Sequence, residues 1–125
     1  MIQADLTEKI IACAYKVHNT LGTGFLEKVY ENAMMIELTK SGLSATQQTN
    51  IPVYYEGKIV GDYYADIIVE KQVVLELKAV ENLVKIFEVK LVNYLKGAGI
   101  EIGLLINFGS SVEIKRKYKD YKSTQ

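Results

Sequence analysis

The chain has 125 residues, of which 49% are hydrophobic and 24% charged, as is typical of a compact globular domain. Lys+Arg 15 balance Asp+Glu 15, which excludes a polycation that would coat nucleic acid without a specific site. The single Pro, the nine Gly and the high aliphatic content exclude disorder for most of the chain. We therefore expect one domain over residues 1–125, with a frayed tail at 119–125.

The chain has one cysteine, Cys13, and one histidine, His18. An intrachain disulfide, a zinc ribbon and a CxxC redox site are thus excluded, and any metal must use oxygen ligands. We expect Cys13 in the core and His18 packed at the end of the first helix. No signal sequence is evident, and no apolar run approaches the roughly 20 residues that span a bilayer. These features predict a cytoplasmic protein with no membrane partner.

Two helices are predicted at the start of the chain. A capping box at Asp5-Leu6-Thr7-Glu8, followed by apolar residues at helical spacing, predicts a helix over about residues 6–20. A second helical pattern runs from Phe25 to about Lys40, where Gly42 ends it.

The remainder of the chain is predicted to be mostly strand. Runs rich in β-branched and aromatic residues predict strands, with a further helix between the third and fourth of them. The strands are predicted at 51–55, 59–69, 73–80, 102–108 and 112 to about 117, and the helix from 83 to 97 or 99. The order ααβββαββ predicts an α/β (α+β) protein with a mixed sheet flanked by helices.

The residues that carry chemistry are Asp66, Glu76 and Lys78. Because side chains alternate along a strand, Glu76 and Lys78 share one face. If residues 70–72 form a three-residue loop, the register places Asp66 directly opposite Glu76. Two carboxylates about 5 Å apart at Cβ repel each other unless a cation or a proton lies between them.

A hard divalent ion such as Mg²⁺ would relieve this repulsion, because it prefers carboxylate and water oxygens. Lys78 would then orient or activate a water and stabilise charge that develops on a phosphate. The competing explanation is an ordinary solvated strand face. Apolar neighbours on both sides, 73–75 and 79–80, indicate a largely buried strand in which isolated charges are costly, and they favour a site.

The second helix offers another acidic residue. Glu27, Tyr30, Glu31 and Met34 lie on one helical face, so a carboxylate and a phenol are predicted to project together near the helix N-terminus. From the residues alone, a first-turn glutamate stabilised by the helix dipole explains Glu27 equally well.

The stretch 17–31, with Gly24, Glu27 and Tyr30, resembles the signature of the small bacterial GxxExxY proteins, which belong to the PD-(D/E)XK nuclease superfamily. The similarity covers roughly residues 5–117. It continues through 51–53, 64–66, 76–80, 93–96 and 103–109.

The resemblance implies a restriction-endonuclease-like fold and an endo- or exodeoxyribonuclease that depends on Mg²⁺ or Mn²⁺. Asp66 and Glu76 would be metal ligands and catalytic residues, and Lys78 would be the catalytic lysine. Glu27 would be the acidic residue that a helix contributes to catalysis and to the metal.

Two residues of the third helix depart from the pattern of these relatives. Lys90 stands where they often have Gln, four residues before Tyr94, and Phe87 where they tend to have a polar residue or His. We expect Lys90 to pair with Glu76 or Glu27, and so to weaken metal binding and cleavage. The alternative function is therefore a catalytically weak or inactive nuclease-fold module that binds nucleic acid or a protein partner. In the alternative arrangement Lys90 points at solvent beside the cleft, contacts a phosphate and leaves activity intact.

Substrate contacts with DNA are predicted for Tyr30, Lys90, Tyr94, Lys115 and Arg116. Lys115 and Arg116 belong to a basic cluster that a charge-protected edge strand explains about as well. A third possibility is that the strand with Glu76 is a charged surface strand in a structural oligomer, and a homo-oligomer is consistent with the sequence.

Overall fold

A computed structural model describes residues 4–120, and in that range it contains three helices and five strands. The helices are α1 (Ala4–Leu21), α2 (Glu27–Lys40) and α3 (Lys85–Ala98). The strands are β1 (Ala45–Tyr55), β2 (Lys58–Val69), β3 (Val73–Lys78), β4 (Ile102–Phe108) and β5 (Val112–Tyr118). The predicted order ααβββαββ is confirmed.

The strands form one sheet in the order β1-β2-β3-β4-β5. Only the β3–β4 pair is parallel, and α3 makes the crossover that parallel neighbours require. Residues 73–77 of β3 and all of β4 are buried, because both strands lie inside the sheet and carry helices on their faces. The mixed sheet flanked by helices is the fold class that the sequence predicted.

Helices cover both faces of the sheet. α1 and α2 pack on one face through a cluster that includes Ile10, Met34 and Leu75, and α3 packs on the other through Leu91 and Leu95. Gly103 allows α3 to lie close to β4, since a Cβ there would lie 2.8 Å from Cδ1 of Leu91.

Two strand ends differ from the prediction by more than one residue. β1 begins at Ala45 rather than Ile51, because the polar segment between them pairs with β2. β3 ends at Lys78 rather than Val80. The Val80 N–H donates to Oδ1 of the buried Asn107 at 2.9 Å, and the Val80 carbonyl accepts from its Nδ2 at 2.8 Å. The Asn107 amide therefore satisfies the backbone that a strand neighbour would otherwise bind.

Both chain ends lie partly outside the described residues. The expected frayed tail is outside them from residue 121 onward, whereas the Lys119 N–H donates to the Glu101 carbonyl at 2.8 Å. Cys13 is buried, and His18 Nε2 lies 2.8 Å from the carbonyl oxygen of Gly109, as expected for packed residues. In the part of the chain that the structure describes, no helix is long and apolar enough to cross a membrane.

Candidate active site

The candidate site begins where β2 and β3 stop pairing. The connection at 70–72 has the predicted length, and the last paired residues are Ile67 and Leu75. Extended by one residue, this register places Asp66 opposite Glu76, as the sequence analysis expected.

At this position side chains take over the hydrogen bonds of the strand ladder. The Asp66 N–H donates to Oε2 of Glu76 at 2.9 Å, and the Leu77 N–H donates to Oδ2 of Asp66 at 2.8 Å. Each carboxylate thus bonds to the backbone of the opposite strand. The two acids are held together in the gap between the strands.

Burial and nearby negative charge raise the pKa of both acids. Desolvation first, and then the neighbouring charge of Asp66, raise the pKa of Glu76 to about 8. Desolvation also raises the pKa of Asp66, against the effect of the hydrogen bond from Leu77. A pair whose anionic form is disfavoured in this way is stabilised by a proton or a cation. The donor set, two adjacent carboxylates, fits a hard divalent ion.

Glu31 of α2 is a further acid beside this pair, and it is not among the site residues predicted from the sequence. It is only 4% exposed, and its carboxylate accepts from Gln48 Nε2 at 3.1 Å, Gln47 Nε2 at 2.7 Å and Lys28 Nζ at 3.0 Å. Gln48 Nε2 also lies 3.4 Å from Oδ1 of Asp66, and the charge of Glu31 raises the pKa of Asp66. Glu31 and Gln48 therefore belong to the surroundings of Asp66.

The sequence contains a signal for Glu31. The residue sits in the stripe of α2 that includes Tyr30, Met34 and Leu38, all three fully buried. An acid within an apolar helical stripe must have partners, because an unpaired buried charge is strongly destabilising.

Lys78 points toward α3. Its Nζ lies 4.4 Å from the centroid of the Phe87 ring, which is a cation–π geometry. Its charge also lowers the pKa of Glu76, so the ammonium lies near the acidic pair. Phe87 is thus a direct partner of Lys78.

Glu27 lies in the exposed first turn of α2. Its charge raises the pKa of both Asp66 and Glu76, which places it near them. Within residues 4–120, however, no three His, Cys, Asp or Glu side chains are arranged to hold a metal ion. In this conformation Glu27 does not complete a three-acid site with Asp66 and Glu76.

Tyr30 has a different place from the one expected. Its ring is fully buried and stacks on Phe108 with centroids 4.6 Å apart. Its hydroxyl donates to the Gly22 carbonyl at 2.6 Å and accepts from the Phe25 N–H at 3.3 Å. The ring of Tyr30 is thus packed in the core, and its hydroxyl is bonded to the loop between α1 and α2. The phenol therefore does not project beside Glu27.

Tyr94 does face the acidic pair. It is half-buried and packs on Tyr63 with ring centroids 5.0 Å apart. Burial raises the pKa of its hydroxyl, and the charges of Glu76 and Asp66 add to the rise. The Tyr94 hydroxyl therefore lies near the two carboxylates.

Lys90 is exposed on α3, one turn before Tyr94. Among the ion pairs of the described residues, none joins Lys90 to Glu76 or Glu27. The pairing expected from sequence is therefore wrong for this structure. The exposed side chain keeps its ammonium in water, where it avoids the cost of burial.

Lys115 and Arg116 lie on opposite faces of β5. In the strand register Lys115 lies opposite Leu105, and Leu105 lies opposite Glu76. Residues of α3 pack on Leu105, so the helix separates Lys115 from Glu76. Arg116 faces the other layer and donates to Oγ1 of Thr7 at 3.2 Å. Neither residue lines the gap that holds the two carboxylates.

Comparisons with known proteins identify a family and a structural neighbour. The sequence profile of the PD-(D/E)XK nuclease superfamily matches residues 4–119. The crystal structure of SSO0001 is similar with a TM-score of 0.58 and 18% sequence identity, over 96% of this chain and 60% of that one. At that identity the similarity shows the fold alone. A search of curated proteins gives no significant match.

Proposed function

This chain belongs to the PD-(D/E)XK nuclease superfamily, and we propose that it is a divalent-metal-dependent nuclease that hydrolyses phosphodiester bonds in DNA. The observation that carries the proposal is the reciprocal hydrogen bonding of Asp66 and Glu76 in the gap between β2 and β3, with Lys78 beside them. This arrangement keeps two carboxylates adjacent although burial disfavours their charges.

Asp66 and Glu76 would hold the cation, and Glu27 would add negative charge nearby. A Mg²⁺ or Mn²⁺ ion bound there supplies a Lewis acid for the phosphate and lowers the pKa of a coordinated water. Lys78 orients the attacking water and donates hydrogen bonds to phosphate oxygens as their charge grows. Tyr94 supplies a hydroxyl donor and a ring face at the same gap.

DNA is the proposed substrate because a divalent cation held by the two carboxylates would attract the phosphate oxygens of a polyanion. The chain carries no net charge, so binding depends on cations placed locally rather than on the whole molecule. The exposed Lys90 is one such cation, next to Tyr94 on α3. Cys13, the single thiol, fits a reducing compartment, and cytoplasmic localisation remains our inference.

A cleavage assay on end-labelled double-stranded and single-stranded DNA tests the proposal. We expect cleavage by the wild type in millimolar Mg²⁺ or Mn²⁺ and none in EDTA. Glu76→Gln and Lys78→Met should each lower the rate at least about 100-fold. The matched control is Lys9→Met, which removes an exposed lysine of α1 and should leave the rate unchanged. Cleavage that survives EDTA or Glu76→Gln would contradict the proposal.

A second candidate function is a module that binds nucleic acid without cutting it. The contact between Lys78 Nζ and the Phe87 ring favours it, because this attraction holds the ammonium away from a phosphate. Phe87→His separates the two functions. A nuclease limited by this contact should cut DNA faster after the substitution. A binding module should bind DNA without cutting it, both as wild type and as Phe87→His.

A further inference from the structure

Gln48 has an unusual backbone for a residue inside a strand. Its φ is +47°, whereas the other described residues that share a positive φ without being glycine, Glu56, Glu70 and Lys71, lie in the turns after β1 and β2. Left-handed conformations of such residues persist only when the surroundings fix them, and they concentrate at functional sites. Here the neighbour is Asp66, since Gln47 and Thr49 pair with the residues on either side of it.

The conformation of Gln48 coincides with a change of face in both strands. Ile67 packs with the α1 and α2 layer, whereas Ala65, two residues away on β2, packs with the α3 layer. On β1 the hydroxyls of Thr46 and Thr49 lie 2.6 Å apart, although residues three apart in a regular strand point to opposite faces. The strands therefore twist sharply at Gln48 and Asp66, and the Asp66 N–H is left to bond with Glu76.

The side chain of Gln48 acts at the same point. Its amide nitrogen lies 3.1 Å from Oε1 of Glu31 and 3.4 Å from Oδ1 of Asp66, and an amide has two hydrogens to donate. The other oxygen of Asp66 accepts from Leu77 N–H. Both oxygens of this carboxylate are therefore held. Glu31 is buried and so anchors the amide firmly.

We propose that Gln48 is a positioning residue that fixes the Asp66 carboxylate for the divalent cation by coupling it to the buried Glu31. The proposal rests on the proposed function, because it assumes that Asp66 holds a cation. A ligand oriented before binding loses less freedom when the cation arrives, and partners that orient metal ligands commonly contribute tenfold or more to metal affinity.

Gln47 provides a matched control. Its amide donates to Oε2 of Glu31 at 2.7 Å and to Oδ1 of Asn32 at 2.8 Å, and neither bond involves Asp66. Removing Gln47 thus disturbs the same buried glutamate and leaves the contact between Gln48 and Asp66 in place.

Calorimetric titration of Mn²⁺ into the full chain without DNA tests the proposal. Gln48→Gly keeps the backbone conformation and removes the amide, so Mn²⁺ affinity should fall at least about tenfold, whereas Gln47→Ala should change it less than about twofold. Gln48→Ala should lose as much affinity as Gln48→Gly and melt at a lower temperature, because alanine is strained at this φ.

The outcomes separate this inference from the proposed function. Wild-type affinity in Gln48→Gly would overturn the positioning role and leave the nuclease proposal standing. Loss of affinity in Gln48→Ala alone would assign the effect to the backbone and would also overturn it. If the wild type bound no Mn²⁺, the proposed function would fail and the positioning role would fail with it.

Discussion

At Glu76, burial and a neighbouring acid both disfavour the charged carboxylate. The residue is 8% exposed, lies opposite another acid, and has a pKa raised to about 8 by burial and by the charge of Asp66. The folded protein therefore favours the protonated form of Glu76 near neutral pH unless a cation is bound. The same residue accepts the hydrogen bond that fixes the Asp66 backbone. Stability and site geometry are thus coupled at one carboxyl.

This coupling predicts how stability depends on pH in metal-free buffer. The pKa of Glu76 is raised from its ordinary 4.5 to about 8, so the folded state holds the proton more tightly than the unfolded chain. The contribution of Glu76 to stability is complete below about pH 4.5 and is lost as the pH rises through about 8. We expect the free energy of unfolding to fall on the order of 1–3 kcal/mol between these limits.

Urea unfolding with EDTA across this pH range measures the effect. Glu76→Gln should flatten the decline, whereas Glu113→Gln, at an exposed position of β5, should retain it. A decline of the same size in Glu76→Gln would show that another group is responsible.

At the scale of single elements, α3 carries the departures from the family pattern. Lys90 is exposed one turn before Tyr94, and none of the ion pairs among the described residues joins it to Glu76 or Glu27. We therefore expect Lys90→Gln to leave Mn²⁺ affinity within about twofold of the wild type and to weaken DNA binding. The dependence of DNA affinity on salt should fall by about one phosphate contact. Fluorescence anisotropy over a salt series, with calorimetry for Mn²⁺, measures both quantities. Tighter Mn²⁺ binding in Lys90→Gln would contradict this expectation and indicate that Lys90 does pair with the acids.

The turn between β2 and β3 sets the register that brings the two acids together. Its residues Glu70 and Lys71 have φ of 54° and 56°, which glycine adopts without strain. We expect Lys71→Gly to raise the free energy of unfolding by about 0.5–1 kcal/mol, and Lys71→Val to lower it by more, because a β-branched side chain is strained there. Chemical denaturation of both variants measures the difference. A gain in stability with valine would contradict the left-handed turn.

Sequence patterns predicted the elements well where apolar periodicity carried the signal. β4 was predicted without error, and the length of the β2–β3 connection was enough to place Asp66 opposite Glu76. The start of β1 was missed because its residues are polar and at most half-buried at the sheet edge, so their alternation in burial leaves no apolar pattern in the sequence. The left-handed conformation of Gln48 could not be predicted from the residue type. It arises because the β1–β2 hairpin packs against both helical layers and changes face at this position. The pairing of Lys90 was wrong because helical spacing gives a direction but not how far a flexible side chain reaches.

At the scale of the whole molecule, the fold holds the acidic gap between two helical layers. α2 brings Glu27 and Glu31 from one side, and α3 brings Phe87 and Tyr94 from the other. A cation in the gap would therefore bind only the folded chain. Ligands of this kind stabilise the native state by mass action.

Thermal melting should reveal this linkage. We expect Mg²⁺ or Mn²⁺ at 100 times its Kd to stabilise the fold by about 3 kcal/mol and so to raise Tm by roughly 10 °C. Asp66→Asn should abolish the rise, because it removes a charged ligand. A rise of equal size in Asp66→Asn would place the stabilising ion elsewhere on the protein.

Anomalous diffraction from a crystal soaked in Mn²⁺ tests the cation site at Asp66 and Glu76 most directly. We predict an anomalous difference peak between the two carboxylates, about 2.0–2.3 Å from an oxygen of each, as expected for a small divalent ion. A crystal of Gln48→Gly should show a weaker peak at the same place, and one of Asp66→Asn should show none. An ordered site without a peak at saturating Mn²⁺, or a peak on other residues alone, would contradict the account.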